Sequence, residues 1–297
     1  MGNWKLLSFT TGDYPRAGVR AGERIYDAAA LLGAPEGSLS VLDILNDWDR
    51  KRAAIEKAAE APSGKGYGES EVRLLAPVLF PSVYYCAASN FYDHSKEMRP
   101  DRNVTRDGKQ PYFFIKPGVH TTVGPGEKIR VPGVTQKLDW ELEIGAVIGK
   151  AAFNVPVERA LDYVAGYTLC NDLSARDLGK REDWHFGADW FGQKVFEGAM
   201  PQGPWIVPTD QVGDPQVLDM KLWVNDTLMQ NSNSRNMVFN IAEQIEYLSR
   251  RMILRPGDII ATGTPSGVGA PRGIFLKAGD TIRMEVEKIG SMTNSFV

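Results

Sequence analysis

The sequence is poor in the residues that mark several function classes. Of 297 residues only two are cysteine, Cys86 and Cys170, and both sit inside apolar, strand-like runs. So few cysteines exclude a disulfide framework and a Cys-x-x-Cys zinc pair, and read as two buried free thiols. Neither sign of charge is in excess: 34 basic against 37 acidic side chains leave a net charge of −3. No basic field marks the chain for nucleic acid or an anionic membrane. No apolar run approaches the roughly 20 residues of a membrane span. The opening Met-Gly-Asn-Trp-Lys-Leu-Leu-Ser-Phe lacks a long apolar segment with a cleavage site. Despite its Met-Gly, it reads as a first strand rather than a signal peptide or a myristoylation site. The Gly-Lys-Ser/Thr ending of a P-loop, the Rossmann spacing and the Gly-x-Ser-x-Gly elbow are missing too. These absences lead to the expectation of a cytoplasmic protein with a small-molecule substrate, no nucleic acid and no membrane.

What is present is ordinary in bulk and informative in pattern. A hydrophobic fraction of 43% and a charged fraction of 24% are usual for a globular chain. The length suffices for one large domain or two smaller ones. Residues 1–70 read as a small accessory unit and linker. Short strands are expected at Leu6–Phe9 and around Val19–Tyr26, with Gly18 and Gly22 as turn or bulge positions. Ser40 with Asp43 resembles a capping signal for a helix through Leu45, Trp48 and Ile55. The Gly/Pro/Ser-rich run 61–68 closes this unit as a linker. Residues 71–297 then read as the catalytic domain. Strands are expected at Val72–Leu75, Ser82–Ala88, Pro111–Pro117 and Tyr167–Asp172, and a helix at Asn154–Gly166. Asn240 with Glu243 caps a further helix.

The stretch around which the rest is organised is Leu138-Asp-Trp-Glu-Leu-Glu-Ile-Gly145. Its period of two predicts a strand with Glu141 and Glu143 on one face, one pleat repeat apart. Two carboxylates that close repel unless a cation or proton lies between them, and a hard ion such as Mg²⁺ suits them. Alternating acids also occur on a plain solvated sheet face. The same face continues into Gly145 and Val147, which looks more like acids at the mouth of a pocket. Asp172, at the end of its strand, would complete a three-carboxylate site, or simply begin a turn. His94 and Glu97 stand three apart in Asn90-Phe-Tyr-Asp-His-Ser-Lys-Glu. On a helical turn they would be neighbours, a carboxylate raising the basicity of an imidazole, or an incidental exposed pair. Lys116 ends its strand where it could reach an anionic substrate or the metal carboxylates, or face solvent. The aromatic run from Trp184 to Phe196 has no clear period and reads as a lid, a pocket wall or a packed loop. The Thr-Gly-Thr-Pro-Ser-Gly-Val-Gly269 stretch is a Gly-rich loop of the kind that offers N–H groups to anions.

Taken in order, these segments resemble the fumarylacetoacetate hydrolase family. The resemblance rests on Asn90–Glu97, Phe114-Ile-Lys-Pro117, Asp139–Gly145, Gly166-Tyr-Thr-Leu-Cys-Asn-Asp-Leu-Ser-Ala-Arg-Asp177, Gly203-Pro-Trp205 and Leu254–Gly269, across about residues 72 to 294. It implies an α+β, mostly β fold: a mixed β-sandwich roll with a small N-terminal α/β domain, as a homodimer. It implies one Mg²⁺ or Mn²⁺ per subunit on Glu141, Glu143 and Asp172. It implies a His94–Glu97 dyad, Lys194 beside the metal as a catalytic lysine, and substrate contacts from Lys116, Thr264 and Arg176. The activity implied is metal-dependent hydrolysis of a C–C bond in a β-dicarbonyl or 2,4-dioxo acid, in catabolism. Decarboxylation of an oxaloacetate-type oxo acid, or isomerisation, is the alternative. Three departures stand out: Gly179 replaces a glutamine common after Arg-Asp-Leu, 231–235 reads Asn-Ser-Asn-Ser-Arg, and His120 stands where a small hydroxyl residue is frequent. With the bulky aromatic run, they point to a substrate other than the simplest acylpyruvates.

Overall fold

The computed structural model describes residues 3–12, 14–101 and 105–297. The Met1-Gly2 start lies outside them. The fold is mostly β, as the resemblance implies. Its centre is a large mixed sheet. From one edge the strands run Gly66–Tyr67, Arg24–Asp27, Arg16–Ala21, Trp4–Thr10, Met200–Pro208, Val164–Asn171, Leu142–Ile148, Ile259–Ala261, Val83–Ala87 and Phe113–Pro117. The run expected around Val19–Tyr26 is a pair of strands that turns at Gly22, Gly18 lies within the first of them, and the neighbouring Trp4–Thr10 pairs with Met200–Pro208 at Leu6 and Ile206. The residues read as a linker contribute the edge strand Gly66–Tyr67.

The two faces of this sheet bury different partners. Leu142, Ile144, Ala146 and Ile148 share a core with Met220, Leu222, Ile282, Met284 and Met292 of a second, five-stranded sheet. Val147, Cys170 and Ile259 face the other way, into a core with Ile44, Leu45, Trp48 and Ile55 of the N-terminal helices. The capping box at Ser40 and Asp43 forms, and the helical pattern behind it splits into Val41–Leu45 and Trp48–Glu60. Asn240 and Glu243 likewise cap Ile241–Ser249. Both cysteines are free and buried, and burial pushes their thiols up. Among the described residues no helix is long and apolar enough to cross a membrane.

One expected element differs. In place of a helix over 154–166, a short 3-10 stretch spans Val157–Tyr163 and the strand begins at Val164. Gly166 is not a helix stop; it lies inside the strand, where a Cβ would stand 2.2 Å from the Val207 carbonyl oxygen. Its glycine serves the close approach of the neighbouring strand.

Candidate metal and proton-transfer site

The register of two strands assembles the acids. Leu142 pairs with Asn171 and Glu143 with Cys170 in an antiparallel ladder. Extending it by one residue sets Glu141 opposite Asp172, and the Asp172 N–H donates to the Glu141 carbonyl at 2.9 Å. Residues directly opposite across an antiparallel pair present side chains on the same face, and Glu143 lies one pleat repeat further along. Glu141, Glu143 and Asp172 are all buried, and each offers an oxygen within 4.8 Å of the others. The solvated-face reading is thereby set aside. Past Glu143 the face runs into Gly145 and Val147 under the N-terminal layer, so the acids lie at the open end of a buried strip.

Two buried lysines hold the cluster. Lys194, at the end of the helix Trp190–Lys194, donates to Glu141 Oε2 (2.7 Å) and Asp172 Oδ2 (2.6 Å). Burial works to lower its pKa, but Asp172 and Glu141 more than offset this and hold it raised. Burial likewise opposes ionisation of Glu141, yet Lys194 and Arg176 hold its carboxyl far below the usual range. Lys116 is fully buried. It directs hydrogen bonds to the carbonyls of Leu173 (2.9 Å) and Ala199 (2.7 Å). Its ammonium lies 2.5 Å from Asp172 Oδ1 without the alignment of a hydrogen bond, so that buried oxygen has no donor. Glu143 receives the Gly263 N–H at 2.8 Å and, among the described residues, no ion-paired cation. Burial, then Asp172 and Glu141, push its carboxyl well above the ordinary value.

This donor set fits a hard divalent ion. With every acid ionised, four carboxylates (Asp139, Glu141, Glu143 and Asp172) against Lys116, Lys194 and Arg176 leave one uncompensated negative charge in a buried site. A divalent cation would turn that into one positive charge, which matches an anionic substrate. Glu143, which among the described residues has only the Gly263 N–H, and the Asp172 oxygen that faces Lys116 are the groups such an ion would engage.

His94 and Glu97 are brought to the same place. Both lie on the helix Tyr92–Met98, and His94 lines a cavity of about 400 Å³ together with Glu141, Glu143 and Asp172. Its Nδ1 is buried, has no hydrogen-bonding partner, and faces Glu97 Oε2 at 3.7 Å. Burial works against a charged Glu97, but His94 and the Gly267 N–H keep its carboxyl below the usual range.

The remaining sequence candidates divide. Arg176 lines the cavity, with Nε on Asp139 Oδ2 (2.8 Å) and Nη2 on Glu141 Oε1 (2.6 Å). Thr264 lines it too, but its hydroxyl donates to the Leu142 carbonyl (2.9 Å) and accepts from Gln230 Nε2 (2.8 Å). Lys116 stands behind Asp172 and does not line the cavity. His120 is on the surface, 3.9 Å from Glu197. The Gly-rich loop does gather anions, but they are the protein's own. Its N–H groups go to Glu143 from Gly263, to Glu97 from Gly267, and to Asp139 from Gly269 and Ala270. Gly263 turns there with φ +101°.

Several contributors were not found from the sequence. Asp139 ties the Gly-rich loop and Arg176 to one strand end. Buried Gln230 bridges Leu142, Thr264 and Pro265, and Asn171 accepts the Glu141 N–H. Their signal is polar side chains inside apolar strands. Phe114, Trp190 and Gln193 form a wall of the cavity.

Strands that deliver three buried acids to a cavity, with a histidine facing them, define the class: a β-rich enzyme fold with a divalent-metal type of carboxylate site. Residues 83–297 match the family model described as Fumarylacetoacetate (FAA) hydrolase C-terminal, and the chain belongs to that family. The mitochondrial oxaloacetate tautomerase fahd2 of Xenopus laevis is 35% identical over 99% of this chain and 90% of its own length. The crystal structure of maleylpyruvate hydrolase from Sphingobium sp. SYK-6, in complex with manganese (II) ion and pyruvate, superposes with a TM-score of 0.79. It is 33% identical, over 99% of this chain and 98% of that one. The 5-carboxymethyl-2-hydroxymuconate delta-isomerase of Mycobacterium smegmatis has a TM-score of 0.75 and 28% identity, covering 99% and 98%. The proteins this chain resembles thus include a hydrolase, an isomerase and a tautomerase.

Proposed function

We propose that the protein is a divalent-metal-dependent hydrolase that breaks a C–C bond in a 2,4-dioxo acid or ring-derived β-dicarbonyl. The observation that carries this reading is the buried His94 imidazole, backed by Glu97, in one cavity with Glu141, Glu143 and Asp172. Mg²⁺ or Mn²⁺ held by those acids would polarise a carbonyl and share the charge of a departing enolate. Lys194 fixes Glu141 and Asp172, and Arg176 fixes Glu141, so that both carboxylates are held in orientation. His94 takes a proton from water, the hydroxide adds to the carbonyl remote from the 2-oxo acid, and the C–C bond breaks. The electron pair leaves with the 2-oxo acid fragment as its enolate, which recovers a proton from His94. Glu97 holds the imidazole ready for both transfers.

The Xenopus laevis relative favours a second reading, tautomerisation of an oxo acid. There His94 moves one proton between carbon and oxygen and no bond between carbons breaks. Incubating the Mg²⁺- or Mn²⁺-loaded protein with acylpyruvates, cyclic diketones and enol oxaloacetate, then identifying products, separates the two. Two acids support the first reading; a tautomer alone replaces it with the second. His94→Ala is expected to lower hydrolysis by about 10²–10⁴-fold with Mn²⁺ binding retained. Wild-type hydrolysis by that variant removes the general-base role.

A further inference from the structure

Gln193 is a wall residue with an unused amide. It precedes Lys194 on the helix Trp190–Lys194, is half-buried, and lines the cavity. Among the described residues its side-chain amide has no hydrogen-bonding partner. Two of the cations that line the cavity are engaged with its acids: Lys194 with Glu141 and Asp172, Arg176 with Asp139 and Glu141. Gln193 therefore offers the cavity a neutral donor and acceptor not already committed to the protein.

Its seat depends on Gly179. A Cβ at residue 179 would stand 2.6 Å from Gln193 Oε1 and 2.9 Å from its Cδ, closer than side chains pack. Gly179 itself has φ −75° and ψ −9°, a conformation open to any residue. The backbone does not require glycine there; the neighbouring amide does. Residue 179 also lines the cavity, and the volume its side chain would take is held by the Gln193 amide.

We propose that Gly179 and Gln193 are one specificity-determining device, in which the glycine leaves a slot and the glutamine amide fills it to grip an oxygen of an oxo-acid substrate. The amide N–H₂ donates to a carboxylate or enolate oxygen, and Oε1 accepts from an enol hydroxyl. This rests on the oxo-acid reading above.

The test uses oxalate, a planar dianion about the size of the pyruvate enolate, titrated calorimetrically into the Mn²⁺-loaded protein. Gln193→Ala is expected to weaken oxalate about tenfold, the loss of one hydrogen bond to a charged ligand. Gly179→Ala should weaken it to a similar extent by pushing the amide out of its slot, at little cost in melting temperature, because the displaced atoms end a flexible side chain. Adding Gly179→Ala to Gln193→Ala should cost less than a further twofold, since the device is already gone. Mn²⁺ affinity should be the same in all four proteins. Wild-type oxalate affinity in Gln193→Ala, or fully additive losses in the double variant, overturns the proposal. A wild-type protein that takes up Mn²⁺ and oxalate while Gln193→Ala binds equally well sinks this proposal alone. One that binds neither sinks the oxo-acid reading, and this proposal with it.

Discussion

The floor and the wall of the cavity border one space but are made differently. The floor comes from paired strands. Glu141, Glu143 and Asp172 are buried, their backbones lie in or beside a hydrogen-bonded ladder, and their side chains are held by lysines, an arginine and glycine N–H groups. The wall comes from the segment 176–196, which has a turn of 3-10 helix, a short α-helix and a tip closed by the bridge between Lys180 and Ala188. Its aromatic rings are largely exposed, Phe186 by 76% and Phe191 by 73%. A floor fixed by strand register keeps reacting groups in place, whereas a wall of short elements can change without disturbing them. On the proposed reading chemistry would belong to the floor and substrate choice to the wall, and substitutions on each side can break that division.

The largest effect is expected at the floor. Glu143→Ala should remove metal-dependent turnover and leave the fold intact. Added Mn²⁺ should raise the wild-type melting temperature, by an amount equivalent to about 2.7 kcal/mol at a hundred times Kd, and leave the variant unmoved. Without metal the variant should be no less stable than wild type. The group removed is a carboxylate whose ionisation burial opposes first, then Asp172 and Glu141. Equal metal stabilisation of both proteins in a thermal melt would show that Glu143 holds no ion.

A smaller and different effect is expected at the wall. Trp190 stacks on Phe114 with ring centroids 5.0 Å apart and planes 14° from parallel, and Lys194 Nζ lies 5.0 Å from the Phe114 ring. Trp190→Ala removes a contact worth about 1 kcal/mol beyond its buried area. KM should rise several-fold, with kcat changing less and Mn²⁺ affinity not at all. A collapse of kcat with KM unchanged would place Trp190 with the floor and erase the distinction.

The contrast also explains what the sequence made legible. The three acids could be found because strand period is read directly from residues, and Asp172 because it ends a second apolar run. The His94–Glu97 pair follows from helical spacing. What could not be read depends on contacts between distant segments. Gly166 reads as the end of a helix because a glycine that lets Val207 approach looks the same in sequence as one that ends a helix. The Gly-rich loop reads as a cradle for a foreign anion, since nothing local shows that Glu97, Asp139 and Glu143 fill it. Lys116 does reach one of the metal carboxylates, Asp172, as one of its readings has it, but nothing local shows its full burial, which is set by the carbonyls of Leu173 and Ala199. The aromatic run defied a period because it is two things: a base that lines the cavity and a tip that does not.

That last division yields the smallest expected effect. Gly179, Lys180, Trp190, Gln193 and Lys194 line the cavity, whereas no residue from Arg181 to Asp189 does. Phe186 sits at the tip, and among the described residues its one ring neighbour is His185, at 4.0 Å between centroids. Its apolar area is exposed already, so removing it opens no cavity in a core. Phe186→Ser should therefore change stability by no more than about 0.5 kcal/mol. Turnover of a small dioxo acid should match wild type in both kcat and KM. If KM instead rises as it does for Trp190→Ala, the tip folds over the substrate during turnover. The wall then extends through the whole segment, and the tip acts as a lid. Measuring both variants with one short and one bulky substrate makes this decisive, because a lid would distinguish the two substrates and an idle tip would treat them alike.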